Sequence, residues 1–219
     1  MTKEEKEKKD KENILRLKEL DKHYIADGNI IAGVDEAGRG PLAGPVVVAA
    51  VILNEDTFIE GIDDSKKLTE KKRKKAYDEI KEKALAYSII EISEKDIDRL
   101  NILEATKLGV KKAVESLDIK PEIVLTDALR DLDISFNYVP IIKGDAKSYS
   151  IAAASILAKV HRDERMKELA EKYPEYSFEK HKGYGTKMHY EALKKYGMSE
   201  IHRKTFVHLD KDGNRIKRK

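Results

Sequence analysis

The chain of 219 residues contains no cysteine. Disulfide bonds and thiolate metal sites are therefore excluded, and because the composition suits a reducing compartment we expect a cytoplasmic protein. The sequence also lacks any run that approaches the roughly 18 consecutive apolar residues of a membrane-spanning helix. Its N-terminus is charged rather than apolar, which argues against a secretory signal. We expect no contact with a membrane.

Neither sign of charge is in large excess over the whole chain. The 44 Lys and Arg residues exceed the 41 Asp and Glu residues by three. The C-terminal end is more basic, because residues 194–219 hold nine Lys or Arg against three Asp or Glu, a net charge of +6. Such an end indicates contact with the phosphate backbone of a nucleic acid. A solvated tail is the alternative, and we prefer it for residues 211–219.

The pattern of apolar residues predicts strands that alternate with helices. We predict strands at 30–34, 45–53, 87–92, 123–126 and 138–142, and helices at 13–26, 69–84, 148–173 and 187–196, with two more within 94–117. This alternation favours an α/β layer structure with a mixed sheet. The C-terminal third has no strand signal and should be helical, whereas the Lys- and Glu-rich residues 1–12 should be frayed.

These patterns divide the chain into three parts. Residues 1–28 form a charged N-terminal extension with a short helix, residues 29–173 form an α/β core, and residues 174–219 form a helical region with a basic tail.

Three acids stand where a predicted strand ends: Asp35, Asp127 and Asp145. Ligands of α/β sheets gather at the carboxyl ends of strands, so these side chains could meet at one point. Converging carboxylates repel each other unless a cation neutralises them, and Mg²⁺ prefers such oxygen ligands. The alternative is that each acid forms a turn, and for Asp127 or Asp145 taken alone we prefer that explanation.

Asp35 is followed at once by Glu36 and by the segment Gly38-Arg39-Gly40. Because successive side chains of a strand face opposite ways, both acids reach one site only if the backbone leaves regular strand geometry. Two solvent-facing acids are the alternative. The glycines would let backbone N–H groups approach a phosphate or a sugar hydroxyl, although a plain loop also explains them.

Tyr184 lies between two glycines and follows basic residues. An aromatic ring in that setting can stack on a base or sugar, and a core tyrosine is the equal alternative. Asp163 could be a further acidic ligand, but it more simply belongs to an i,i+4 charged helix face. The six histidines show no metal-binding spacing, and we assign none of them a ligand role.

Taken together, these residues resemble the ribonuclease HII family. The resemblance extends over about residues 14–206 and rests on blocks in the same order: Ile31 to Pro45 (IAGVDEAGRGPLAGP), Thr126-Asp127-Ala128, Lys143 to Val160, Lys182 to Thr186 (KGYGT) and Ser199 to Arg203 (SEIHR). The sister family, ribonuclease HIII, has a different glycine loop and a larger N-terminal domain, so family HII is the better match.

The resemblance implies a ribonuclease H-like mixed β-sheet flanked by helices, with a helical C-terminal part. It also implies endonucleolytic cleavage of RNA in RNA–DNA hybrids and on the 5′ side of ribonucleotides embedded in duplex DNA. By this similarity the metal-binding, catalytic positions are Asp35, Glu36, Asp127 and Asp145. The implied substrate contacts are Gly38, Arg39 and Gly40 at the 2′-hydroxyl and adjacent phosphate, Tyr184 at the RNA–DNA junction, and Lys143 and Ser148.

The implied cofactor is Mg²⁺ or Mn²⁺, and two ions roughly 4 Å apart would orient a water in line with the scissile phosphate. Hydrolysis would leave 5′-phosphate and 3′-hydroxyl ends. We expect a monomer, with a sliding clamp as a candidate partner. A non-catalytic protein that binds RNA–DNA hybrids is the competing class, and a metal nuclease that cuts all-DNA substrates is the second.

Overall fold

The computed structural model describes residues 2–26, 28–62 and 68–216. A five-stranded sheet has the order β3-β2-β1-β4-β5. Its strands are β1 (Ile31–Ala37), β2 (Val46–Ile52), β3 (Ala86–Ile92), β4 (Ile123–Asp127) and β5 (Asn137–Ile141). Strand β2 is antiparallel to both of its neighbours, β1 and β3, whereas β1, β4 and β5 run parallel to one another. The predicted mixed sheet is confirmed.

Helices surround this sheet. They are α1 (Lys3–Ile25), α2 (Glu70–Lys83), α3 (Glu94–Leu100), α4 (Ile102–Glu115), α5 (Tyr149–Lys172), α6 (Phe178–His181) and α7 (Lys187–Tyr196). Across the described ranges, no helix is long and apolar enough to cross a bilayer.

The valine-rich strand β2 is buried along its whole length, as the sequence predicts. Its side chains alternate between two cores because successive residues of a strand face opposite sides of the sheet. Val47 and Val51 pack in the core that contains α1, α2 and α5, whereas Val48 and Ile52 pack against α4. The sheet therefore lies between two helical layers, with α5 against its centre.

Helix α5 approaches the central strand closely at Gly33. A Cβ atom at this position would lie 2.1 Å from the backbone carbon of Ser150. We expect Gly33→Ala to lower the free energy of unfolding by about 3 kcal/mol, because backbone rather than a flexible side chain would have to move. Urea denaturation measures the change. Gly40→Ala is the matched control, since its new methyl has no atom nearer than 3.8 Å, and an equal loss in both variants would contradict the prediction.

Helix α1 is longer than the sequence pattern indicates. It begins at Lys3, where Thr2 and Glu5 form a capping box. The prediction that residues 1–12 are frayed is therefore wrong for the described part of that segment. The helix packs on the core through Ile14 and Leu17, which are 1% and 0% exposed.

The C-terminal region is helical only in its first half. Helices α6 and α7 pack against the end of α5 in a core that includes Met166 and Phe178. After Tyr196 the described chain forms turns and a bridge between Leu209 and Arg215. The prediction of a wholly helical C-terminal third is therefore wrong beyond Tyr196. Residues 211–216 form a turn, and the rest of the predicted tail, 217–219, lies outside the described residues.

Candidate active site

A single cleft lies at the carboxyl ends of β1 and β4. Asp35 belongs to β1, Asp127 is the last residue of β4, and Asp145 lies in a short 3₁₀ turn after β5. All three acids line this cleft together with Glu36. Because β1, β4 and β5 run parallel, their ends meet on one side of the sheet, and the predicted convergence of the acids follows from that topology.

The two adjacent acids reach the cleft from a regular strand. Asp35 pairs with Ala49 and Glu36 with Val48, and the ladder to β2 continues to Ala37. The expectation that the backbone leaves strand geometry at the two acids is therefore wrong. The departure comes at Gly38, where φ is +95°. Asp35 turns back on the chain, since one of its carboxylate oxygens accepts a hydrogen bond from the Glu36 N–H at 2.8 Å.

Both acids are held in an environment that opposes their charge. Burial, and then repulsion from Glu36 and Asp127, raises the pKa of Asp35 well above its usual value, although a hydrogen bond from Ser155 acts in the opposite direction. Burial also raises the pKa of Glu36, against the influence of Arg39. The Arg39 guanidinium lies 3.2 Å from Glu36 Oε1. Such clustered and perturbed carboxylates are typical of functional sites.

The other two acids come from neighbouring turns. The Gly144 N–H donates a hydrogen bond of 2.8 Å to Asp127 Oδ1, which fixes the end of β4 against the turn that carries Asp145. Asp145 itself is 8% exposed. The backbone thus ties these two acids together before any ligand is present.

The donor set suits a hard divalent cation. Glu36 Oε2 is buried without a hydrogen-bond partner among the described residues, which is costly for a carboxylate unless a cation approaches it. All four acids offer oxygen ligands, as Mg²⁺ and Mn²⁺ prefer. Among the described residues, no group of three acidic or histidine side chains is arranged to hold one ion, but Mg²⁺ needs only one or two carboxylates because waters and a substrate phosphate can complete its shell.

Tyr184 and the loop of residues 38–45 between β1 and β2, here called the glycine loop, lie at the rim of the cleft. Gly38 and Tyr184 line the cleft, and a Cβ atom on Gly40 would lie 3.8 Å from the Tyr184 ring. Tyr184 is 46% exposed, so it is not a core tyrosine. The Leu42 N–H donates to the Gly183 carbonyl at 2.8 Å, which holds the loop beside the segment that carries the ring.

Three buried histidines support the Tyr184 segment. The Ser199 N–H donates to His202 Nδ1 at 2.9 Å, so His202 carries its proton on Nε2. That proton faces His189 Nε2 at 3.0 Å, and His189 must then donate from Nδ1 to the Tyr184 carbonyl at 3.0 Å. One set of neutral tautomers satisfies every bond. The spacing of the histidines in the sequence does not predict this series of hydrogen bonds.

Protonation of His189 would place its Nε2–H against the Nε2–H of His202. We therefore expect this series of hydrogen bonds to be sensitive to acid. Burial lowers the pKa of both His189 and His202 to about 4, and His181, which stacks on His189 with ring centroids 4.5 Å apart, contributes to both shifts. As the pH falls, these histidines take up protons in the unfolded chain before they do so in the folded protein. Their contribution to the free energy of unfolding is therefore fully present above about pH 6.5 and decreases as the pH drops towards 4.

We expect the free energy of unfolding to decrease over this range, and less steeply in His202→Phe, because that variant lacks one of the shifted groups. Urea denaturation at several pH values between 7.5 and 4.5 measures both slopes. Comparing the two proteins cancels the opposite contribution of the buried acids. Equal slopes in both would show that His202 takes up its proton as easily in the folded protein as in the unfolded chain.

Of the sequence-predicted substrate contacts, Gly38 and Tyr184 line the cleft, and Arg39 and Gly40 lie next to the lining residues Glu36 and Tyr184. The other two, Ser148 and Lys143, do not belong to the cleft. Ser148 is 0% exposed and donates to Asp21 Oδ1 at 2.6 Å, where it also caps helix α5. The expectation that it contacts substrate is wrong for this arrangement, because its hydroxyl is enclosed between α1 and α5. Lys143 is exposed beside the Asp145 turn but does not line the cleft.

Three further residues that sequence reasoning missed do line the cleft: Ser155, Lys159 and Arg162. All three lie on α5, at positions that nothing in the sequence distinguishes from other residues of a long helix. Asp163, on the same helix, pairs with Lys159 at 2.7 Å in the predicted i,i+4 manner.

A mixed sheet flanked by helices, with carboxylates at the ends of its central strands, matches the ribonuclease H-like class of nucleases. Comparison with known proteins agrees. The ribonuclease H2 of Pyrococcus horikoshii superposes with a TM-score of 0.69 at 31% identity, over 80% of this chain and 92% of that one. A ribonuclease HII of Archaeoglobus fulgidus, solved in complex with PCNA, gives 0.68 at 28% identity, over 81% and 93%.

The sequence comparisons are more specific. The family model of ribonuclease HII matches residues 32–209. The ribonuclease HII of Caldicellulosiruptor bescii is 55% identical over 190 residues, which cover 86% of this chain and 92% of the relative. This chain belongs to the ribonuclease HII family and is a type 2 ribonuclease H.

Proposed function

We propose that this enzyme cleaves RNA in RNA–DNA hybrids and cuts on the 5′ side of ribonucleotides embedded in duplex DNA. One observation carries the proposal: the buried Asp35 and the half-buried Glu36 share a cleft with the exposed ring of Tyr184 and the open glycine loop. The acids suit phosphodiester hydrolysis, and the loop and ring suit recognition of a sugar next to it.

We propose that Asp35, Glu36, Asp127 and Asp145 hold Mg²⁺ or Mn²⁺. When bound, two such ions activate a water and neutralise the charge that develops on the phosphate and on the departing 3′-oxygen. The dependence of the ribonuclease H family on metal supports this assignment. Hydrolysis would leave 5′-phosphate and 3′-hydroxyl ends.

The glycine loop and Tyr184 would determine the position of cleavage on the substrate. The N–H groups of the glycine loop would bind the 2′-hydroxyl and the adjacent phosphate, and the 2′-hydroxyl is the group that separates RNA from DNA. A site built to bind a hydroxyl leaves polar groups unpaired when that hydroxyl is missing, which can reject DNA by about 10⁴-fold. Tyr184 would pack on the sugar or base beside the junction.

We assign residues 174–219 to substrate binding, since that region carries Tyr184 and the basic C-terminal end. The PCNA complex of the Archaeoglobus relative supports a sliding clamp as a candidate partner for this chain too. A monomer and a cytoplasmic location stay predictions.

A nicking assay tests the proposed function. The substrate is a duplex with one ribonucleotide in a labelled strand, and the all-DNA duplex of the same sequence is its control. We expect a single cut 5′ of the ribonucleotide in Mg²⁺, none in EDTA, and a rate at least about 10⁴-fold lower on the all-DNA duplex. Binding without cleavage in Mg²⁺ would favour a hybrid-binding protein, and equal cutting of both duplexes would favour a DNA nuclease.

A further inference from the structure

Two arginines are completely buried beneath the glycine loop. Arg162 is 1% exposed and Arg203 is 0% exposed. Within the described residues neither guanidinium forms an ion pair with a carboxylate, although a buried charge is costly unless something compensates it. Burial, and then repulsion from Arg162, lowers the pKa of Arg203 to about 9, and burial also lowers the pKa of Arg162. Guanidinium groups keep their charge in proteins, so both side chains are cations at neutral pH.

Backbone carbonyls take the place of acids around both groups. Arg203 donates from Nε to Gly44 at 2.9 Å and from its terminal nitrogens to Arg39 at 2.9 Å, Gly38 at 2.7 Å and Gly44 at 2.7 Å. Arg162 donates to the carbonyls of Pro45, Lys182 and Ala43 at 3.0, 3.1 and 3.2 Å. The guanidinium groups therefore hold the loop by its oxygen atoms at both ends.

This arrangement determines which way the loop's N–H groups point. In a trans peptide the carbonyl and the N–H point in opposite directions. The carbonyls of Gly38 and Arg39 both point down to Arg203, and the structure contains no cis peptide among the described residues. The N–H groups of Arg39 and Gly40, which share those peptides, must then point away from Arg203, and neither donates to an acceptor in the described chain.

Arg162 adds a packing constraint on the same loop. A Cβ atom at Gly38 would lie 2.0 Å from Arg162 Nε, so the guanidinium occupies the space where a side chain would start. Arg162 also lines the cleft. Within the described residues, two positive charges that form no ion pair thus lie beneath two outward N–H groups, an arrangement that attracts an anion or a polarised hydroxyl.

We propose that Arg162 and Arg203 are positioning residues, which hold the glycine loop with the Arg39 and Gly40 N–H groups towards the ribonucleotide and supply positive charge beneath them. This inference rests on the proposed function, because it assumes that the loop binds the 2′-hydroxyl and its phosphate. Neither arginine touches substrate in this scheme; each acts through the loop.

Arg203→Lys keeps the charge but loses the planar fork that binds three carbonyls at once. We expect its preference for the ribonucleotide duplex over the all-DNA duplex to fall about 10-fold, because the two N–H groups lose their fixed direction. Affinity for the all-DNA duplex should stay within about two-fold, since phosphate attraction depends mainly on charge. Fluorescence anisotropy in Ca²⁺ measures both affinities without cleavage, and KM should rise more than kcat falls in Mg²⁺.

Arg162→Lys is the second variant and should give the same pattern. Arg165→Lys is the matched control, because Arg165 lies on the same helix, is 42% exposed and pairs with Glu91 and Glu168 at the surface; its preference should match the wild-type value. Unchanged preference in the variants at positions 162 and 203 would overturn the proposal, as would failure of both to fold, which would show a role in the fold alone.

The nicking assay separates this inference from the proposed function. Wild-type protein that does not cut at the ribonucleotide removes the proposed function itself. Wild-type protein that cuts there, with variants that retain full preference, removes only the role of the arginines.

Discussion

Asp35→Asn is expected to lower the rate of cleavage in Mg²⁺ at least about 10³-fold, because a loss of about 4 kcal/mol in transition-state stabilisation is what one missing ligand to a catalytic ion can cost. The same change should raise the free energy of unfolding of the metal-free protein by about 1 kcal/mol. Asp35 is a buried carboxylate beside Glu36 and Asp127, and burial with repulsion raises its pKa. Asparagine removes that charge while keeping the oxygen that accepts the Glu36 N–H.

Chemical denaturation with and without Mg²⁺ tests both halves of this prediction. Wild-type protein should gain stability when Mg²⁺ is added, and Asp35→Asn should gain less, because binding to the folded state stabilises it by mass action. Asp133→Asn is the control, since Asp133 is an exposed acid that pairs with Lys111, and neither residue lines the cleft. Near-normal turnover by Asp35→Asn would refute the assignment of this residue.

The second large effect is expected from Gly38→Ala, with Gly40→Ala as its matched partner. At Gly38, φ is +95° and a Cβ atom would lie 2.0 Å from Arg162 Nε, so alanine strains the backbone and displaces the guanidinium. We expect kcat/KM to fall about 10²-fold, because a shift of about 1 Å in a binding loop can have that effect. Stability should fall by about 2 kcal/mol.

Gly40→Ala should behave differently. Its methyl group has room in the free protein but narrows the gap to the Tyr184 ring, where the nucleotide would lie. We expect stability within about 0.5 kcal/mol of wild type and a rise in KM. Steady-state kinetics on the single-ribonucleotide duplex, together with thermal unfolding, measures the contrast. Identical behaviour of the two variants would show that the loop does not approach the substrate as proposed.

The sequence predicted the sheet and the meeting of the acids because both depend on local patterns. Strand β2 is apolar on both faces and therefore lies inside the sheet, and Asp127 and Asp145 follow apolar runs that the parallel topology brings to one edge. The family resemblance predicted the same residues independently. The predicted start of α1 differs from the observed one because the capping box of Thr2 and Glu5, a local signal, begins the helix ten residues earlier.

Long-range contacts with backbone could not be predicted in the same way. Arg203 binds the carbonyls of Gly38 and Gly44, 165 and 159 residues earlier in the chain. A carbonyl belongs to every residue, so no sequence pattern marks the partners of a buried arginine. The series of hydrogen bonds from Ser199 through two histidines to Tyr184 could not be predicted from the sequence either. Its direction depends on histidine tautomers, which only the packed structure defines.

The central claim is that acids from separate strands share one cation site beside the glycine loop. Diffraction from crystals soaked in MnCl₂, recorded at the manganese absorption edge, tests it most directly. We predict anomalous density within about 2.3 Å of carboxylate oxygens from Asp35 and at least one of Glu36, Asp127 and Asp145. Manganese bound only elsewhere, with Asp127 and Asp145 turned away from Asp35, would contradict the account.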